Sequence, residues 1–143
     1  MRIEEILRHK GRDVVTITES QSVLEAARVL VARNIGALVV TDRSRLTGIF
    51  TERDVLRLTA RCPGELAYIR IGSAMTREPI TAEPNSLLSE MMDVMTERKI
   101  RHLPVVDGDR LVGIVSIGDL LNACRSEAEE ENYSLREYIR GVG

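Results

Sequence analysis

The 143-residue chain is long enough for one ordinary core burying roughly 68–70% of its unfolded surface, and 43% hydrophobic with 29% charged residues marks a globular protein, excluding disordered and collagenous classes. Twenty basic against 22 acidic residues leave a net charge of -2, which excludes a strongly basic nucleic-acid footprint, and runs such as GALVV fall far short of the ~20 apolar residues a bilayer requires. Cys62 and Cys124 belong to no CxxC or CxxH pair, so neither zinc-ligand spacing nor a disulfide framework is visible, and both are expected as small, reduced apolar residues.

In chain order, MRIEEILRHKGRD carries acids inside its apolar pattern and lacks a continuous apolar core or a small-residue cleavage site. It is expected as a mature amphipathic helix of a cytoplasmic protein. VVTI is short and β-branched and predicts a strand; Val23, Ala26, Ala27, Leu30 and Val31 then fall at the spacing of an amphipathic helix stripe. ALVVT, the turn DRSR and LTGIF predict two strands joined by a tight turn, followed by a helix. Arg57 to Glu78, with Cys62, Pro63 and Gly64, predicts a break, a short turn of helix and the entry to a second unit. There Leu88, Met91, Met92 and Met95 repeat the helix stripe, as core or as a helix interface, and LPVVD, DGDR and LVGIV repeat the strand–turn–strand. A closing helix leads to the acidic run Glu127, Glu129, Glu130 and Glu131, read as a solvated face. Ser134 to Glu137 then offers a capping box for a last helix ending near Gly141, with Leu135, Tyr138 and Ile139 as its apolar face.

The chain is written twice. A shift of 65 residues lays Val14–Leu56 over Pro79–Leu121 without a gap, and 14 of those 43 positions are identical, including Gly48 with Gly113 and Asp54 with Asp119. Turn glycines, polar and core residues recur together, so the duplication preserves backbone geometry as well as hydrophobicity. Each copy of about 45 residues is too small for a stable core, which predicts two units packed about a pseudo-twofold axis with a pair of equivalent grooves between them. The expected fold class is mixed α/β (α+β): two pseudo-symmetric β-α-β-β-α repeats with N- and C-terminal helices. Residues 1–62 hold the first repeat and the N-terminal helix, 63–124 the second repeat, and 125–143 a helical tail that docks on a second subunit.

GIFTERD and GIVSIGD close the two hairpins with identical spacing of Gly, Thr or Ser, and Asp. One reading is local: a hydroxyl and an acid three residues later form a helix capping box. The other is functional: Thr51 with Asp54, and Ser116 with Asp119, project into the grooves, where a carboxylate accepts hydrogen bonds from neighbouring sugar hydroxyls. The two roles are compatible. No metal-ligand cluster, Gly-rich phosphate loop or acid–base pair at recognisable spacing appears, and His102 has no nucleophile pattern beside it and is read as an anion contact or surface residue, so no enzyme is expected.

The repeated plan, with ARNIGALVVTD and ERKIRHLPVVD leading to GIFTERD and GIVSIGD, resembles a tandem pair of CBS (cystathionine beta-synthase) domains, a Bateman module, over about residues 1 to 124. The resemblance implies a regulatory module, assembled as a homodimer, that senses an adenine nucleotide such as AMP, ADP, ATP, NAD(H) or S-adenosylmethionine and signals to an effector protein. It implies neither nucleic-acid nor membrane partners. Carried to this chain, it assigns Thr51, Asp54, Ser116 and Asp119 to ribose, and Thr16 with Ile17 and Thr81 with Ala82 to the border of adenine. Gly36 with Ala37, and Arg101 with His102, would line base or phosphate. Pro104 would form a rigid unpaired edge beside a base, and Arg53 would reach a phosphate in one site only, its counterpart being Gly118. The replacement of Gly36 and Ala37 by Arg101 and His102 predicts clefts of different ligand preference. The alternative is a structural or dimerisation module with vestigial clefts and S/T-x-x-D pairs that serve only as caps.

Overall fold

The computed structural model describes residues 1–142. The first repeat contains β1 (Thr16–Ile17), α2 (Val23–Arg33), β2 (Ala37–Asp42), β3 (Arg45–Thr51) and α3 (Glu52–Arg61), preceded by α1 (Ile3–Lys10). Ser22 starts α2 by accepting a hydrogen bond from the Glu25 N–H, and Asn34 ends it in the left-handed region, where a small polar side chain is tolerated. β1 runs parallel to β2, and β2 pairs antiparallel with β3 across a tight turn at Arg43 and Ser44, both with positive φ. That is the handedness a short hairpin needs to follow the strand twist.

A 3-10 turn (Leu66–Tyr68) and the short α4 (Ile71–Ala74) follow, as the composition of the connecting stretch predicts. Unforeseen was β4 (Thr76–Arg77), which extends the first repeat's sheet to the order β1-β2-β3-β4. The second repeat holds α5 (Leu88–Arg98), β5 (His102–Asp107), β6 (Arg110–Ser116) and α6 (Ile117–Val142). Its expected first strand contracts to a single parallel bridge between Ala82 and Val105. The cause is Pro104: in the first repeat its counterpart Val39 donates its N–H to the Val15 carbonyl, and proline has no N–H to make the equivalent ladder bond.

The two repeats interlock. Ile3, Ile6 and Leu7 of α1 are buried with Leu88, Met95, Leu103, Val105, Val115 and Leu120 of the second repeat. Reciprocally, Ile71 and Met75 complete the core formed by Ile17, Val23, Leu30, Leu38, Val40 and Phe50 of the first. By sequence α1 precedes the first repeat; in space it belongs to the core of the second. The 65-residue shift places Ile6 on Ile71, so the lead-in to each repeat crosses over to roof the other.

The end of the chain also differs from expectation. Instead of a separate last helix capped at Ser134, α6 runs unbroken through that residue to Val142, because no proline intervenes and Ala, Glu, Leu and Arg all favour continuation. Leu135 and Ile139 are exposed on it, and the Tyr138 side chain lies outside the described residues. Among the described residues no helix is long and apolar enough to cross a membrane, and no group of three or more His, Cys, Asp or Glu side chains is arranged to hold a metal ion.

Candidate functional site

Both hairpin-to-helix junctions form as the motif suggests. The Asp54 carboxylate accepts from the Thr51 N–H at 2.9 Å and the Thr51 hydroxyl at 3.1 Å, all on Oδ2. In the second repeat the Ser116 N–H donates to Asp119 Oδ2 at 2.8 Å, and the Asp119 N–H donates to Ser116 Oγ at 3.1 Å. Capping is therefore real at both sites, and in each it engages one carboxylate oxygen and leaves the other outside the cap.

The hairpins of the two repeats meet at β3 and β6, and a cavity of about 360 Å³ opens beside the Thr51 junction. One wall is Thr51, Arg53, Asp54 and Arg57 at the start of α3; the other includes Lys99 and Arg101, from the turn that links α5 to β5, and His102, the first residue of β5. The floor is apolar, with Ile49, Pro79, Ile80 and Ile100. Thr51 and Asp54 of one repeat thus share a cavity with the basic approach of the other. Five cations, Arg53, Arg57, Arg98, Lys99 and Arg101, line this cavity against the three acids Glu52, Asp54 and Glu78. The cavity therefore combines a carboxylate acceptor, an apolar floor and an excess of positive charge.

The pseudo-symmetric hollow, about 290 Å³, is lined by Asn34, Ile35, Gly36, Glu52, Arg101, His102, Ser116 and Ile117. Asp119 is not part of its wall. The Lys10 ammonium, at the end of α1, donates to Asp119 Oδ2 and to the Ile114 carbonyl, both at 2.8 Å. Burial would raise the Asp119 carboxyl, but the Lys10 hydrogen bond and the Ser116 N–H outweigh it and hold the group below the usual carboxylate value.

Among the sequence-predicted residues, the structure brings Gly36, Thr51, Arg53, Asp54, Arg101 and His102 to the first cavity, and Gly36, Arg101, His102 and Ser116 to the second hollow. Ile17, Ala37 and Ala82 are buried core residues; Thr16 is exposed and Thr81 half-buried, and neither lines a cavity wall. Pro104 is buried inside β5 opposite Ile114, and its carbonyl accepts from the Ala82 N–H at 2.9 Å, so it is not on an unpaired edge. Pro79 and Ile80 take the wall position expected of Thr81 and Ala82, because the chain passes the cavity just before it reaches the sheet.

His102 lies between the two sites and packs against Gly36, where an added Cβ would meet its ring at 3.1 Å. Burial pushes its pKa down, opposed by the negative charges of Glu52 and Asp119 and assisted by Lys10 and Arg101. Glu52, Arg57, Lys99 and Lys10 were missed by sequence reasoning: Glu52 and Arg57 sit on the same helix start as Asp54 without a motif of their own, and Lys99 and Lys10 reach their sites from distant parts of the chain.

Comparison with known proteins agrees with this architecture. The CBS domain profile matches residues 3–61 and 71–126. A CBS domain-containing protein of Arabidopsis thaliana, CBSX3, mitochondrial by its name, is 34% identical over 97% of this chain and 72% of its own length. The crystal structure of the CBS-domain protein ATU1752 from Agrobacterium tumefaciens superposes with a TM-score of 0.83 at 40% identity, covering 86% of this chain and 98% of that one. The CBS domain pair of protein MJ0100, in complex with 5'-methylthioadenosine and S-adenosylmethionine, gives a TM-score of 0.78 at 29% identity, covering 89% of this chain and 98% of that one. Two interlocked β-α-β-β-α repeats, matched at both segments and along nearly the whole chain, place this protein in the CBS domain family.

Proposed function

We propose that this protein is a non-catalytic regulatory module that senses a phosphate-bearing adenine nucleotide in the cavity beside Thr51. The observation that carries this reading is the meeting of Thr51 and Asp54 with Arg101 and His102 in one cavity whose lining includes five cations. Asp54 accepts ribose hydroxyls, Ile80 and Ile100 flank the base, and the basic rim neutralises phosphate. The complex of the related MJ0100 pair with two adenosine compounds supports a nucleoside ligand; the cation excess here favours AMP, ADP or ATP over an uncharged adenosine thioether. An effector protein reads the bound state from the helical faces.

Calorimetric titration of the full chain with AMP, ADP, ATP, NADH and S-adenosylmethionine tests the reading. A phosphate-bearing nucleotide is expected to bind, and Asp54→Asn to weaken it by about 1.5–3 kcal/mol, a loss of about 10- to 150-fold in affinity. The capping boxes also suit a structural module whose clefts bind nothing. Absence of binding by every compound, with a lowered melting temperature in Asp54→Asn, would establish that second reading.

A further inference from the structure

The two clefts descend from one duplicated motif, yet only in the first does the aspartate line the cavity. Translating the first cavity's lining by the repeat shift identifies what the second hollow retains and what it has lost. Asn34, Ile35, Gly36, Ser116 and Ile117 stand where Lys99, Ile100, Arg101, Thr51 and Glu52 line the first. Among those lost are the counterparts of Ile49, Asp54, Thr76, Pro79 and Ile80, which are Ile114, Asp119, Gly11, Val14 and Val15. The missing portion includes Ile114 and Asp119, the two residues that Lys10 bonds.

Lys10 is charged where the first repeat has an apolar residue: its counterpart is Met75, which is buried in the core. The Lys10 ammonium donates both to the Ile114 carbonyl and to Asp119 Oδ2, the oxygen that the Ser116 N–H also engages, across 104 and 109 residues of sequence. Asp54 has only Arg57 nearby, at 3.5 Å on the oxygen outside the cap, and that guanidinium is exposed. The cations that would receive phosphate in the second cleft are also reduced, since Arg53, Arg57 and Lys99 become Gly118, Asn122 and Asn34.

We propose that Lys10 is a built-in occupant of the second cleft: its ammonium sits on the Asp119 carboxylate in place of a sugar's hydroxyls and restricts the protein to one nucleotide per chain. This rests on the nucleotide reading of the first cleft and adds a gate to its twin. Because Lys10 ends α1, which packs against α6 and is tied to it by the Met1 ammonium–Glu127 pair at 3.3 Å, opening the second cleft requires that α1 release its C-terminal grip beside α6.

The test is equilibrium dialysis of radiolabelled ATP against the full-length wild type, Lys10→Met and Lys10→Gln, with melting temperatures measured in parallel. Lys10→Met copies the residue of the other repeat, and Lys10→Gln retains a polar side chain should methionine disturb folding. One ATP per wild-type chain and two per variant chain supports the gate, provided that Asp119→Asn in the Lys10→Met background returns the count to one. Binding only after replacement of Lys10 also supports the gate while overturning the nucleotide reading of the first cleft. Two sites in the wild type, or one in both folded variants, overturns the gate and leaves that reading standing. No binding to any of them overturns both.

Discussion

His102 is the side chain most exposed to conflicting demands. Its ring is packed against Gly36 at the junction of the two clefts, and burial holds its pKa below the usual 6.5 despite the nearby carboxylates Glu52 and Asp119. The unfolded chain therefore takes up the proton first as pH falls. The stability conferred by neutral His102 is fully present above about pH 6.5 and is lost as pH falls from there through the lower folded-state value. Thermal melts from about pH 8 to about pH 5 should show this loss in the wild type and a flatter profile in His102→Asn; parallel profiles would remove His102 as its source. Asp119 adds a second loss at lower pH. Its folded pKa is depressed, so its contribution is present above the ordinary carboxylate range and disappears as pH falls through the folded value.

Among the elements, the crossed lead-in segments explain why glycine stands at the same position of β3 and β6. An added Cβ on Gly48 would lie 2.6 Å from Met75 Sδ and 2.7 Å from the Thr76 carbonyl oxygen, and one on Gly113 would lie 2.7 Å from Leu7 Cδ2. The glycines are required by close approach, since neither has a positive φ. Alanine at either position should cost about 1–3 kcal/mol through overpacking. Gly48→Ala is expected to cost more, because Thr76 is paired to β3 and its carbonyl is not free to move, whereas every close neighbour of Gly113 is a Leu7 side-chain atom. Urea denaturation of the two variants measures the difference, and equal midpoints would show that β4 yields as readily as the leucine. A repeat that depends on a segment from its twin also has no complete core by itself, so the pair is expected to unfold in one cooperative step.

For the molecule as a whole, several large apolar side chains on its helices stay uncovered. Leu56 on α3 is 70% exposed and its repeat counterpart Leu121 on α6 is 53% exposed, with Val31 of α2 also uncovered. No residue of α3 is buried within the chain. Two symmetry-related leucines at the same exposed position suit a self-complementary twofold interface. Sedimentation of the wild type should give twice the 16.0 kDa chain mass, and Leu56→Asp with Leu121→Asp should give the chain mass with little loss of thermal stability. A wild type that sediments at 16.0 kDa would assign those leucines to another partner.

The two hairpins, the helices α2 and α5 and the capping aspartates were legible in the amino-acid order because each is encoded within about ten residues, by periodicity, turn residues and hydroxyl–acid spacing, and the duplication because these signals recur after 65 residues. The family followed from the same signals, read twice at a fixed interval. The tertiary structure alone decided that α1 completes the second repeat's core, that Arg101 and His102 face Asp54, that Pro79 and Ile80 replace Thr81 and Ala82 at the wall, and that Lys10 reaches Asp119. These pairings join residues tens of positions apart, and such contacts are selected by how two half-cores share their buried surface, a choice that hydrophobic pattern within either half does not specify.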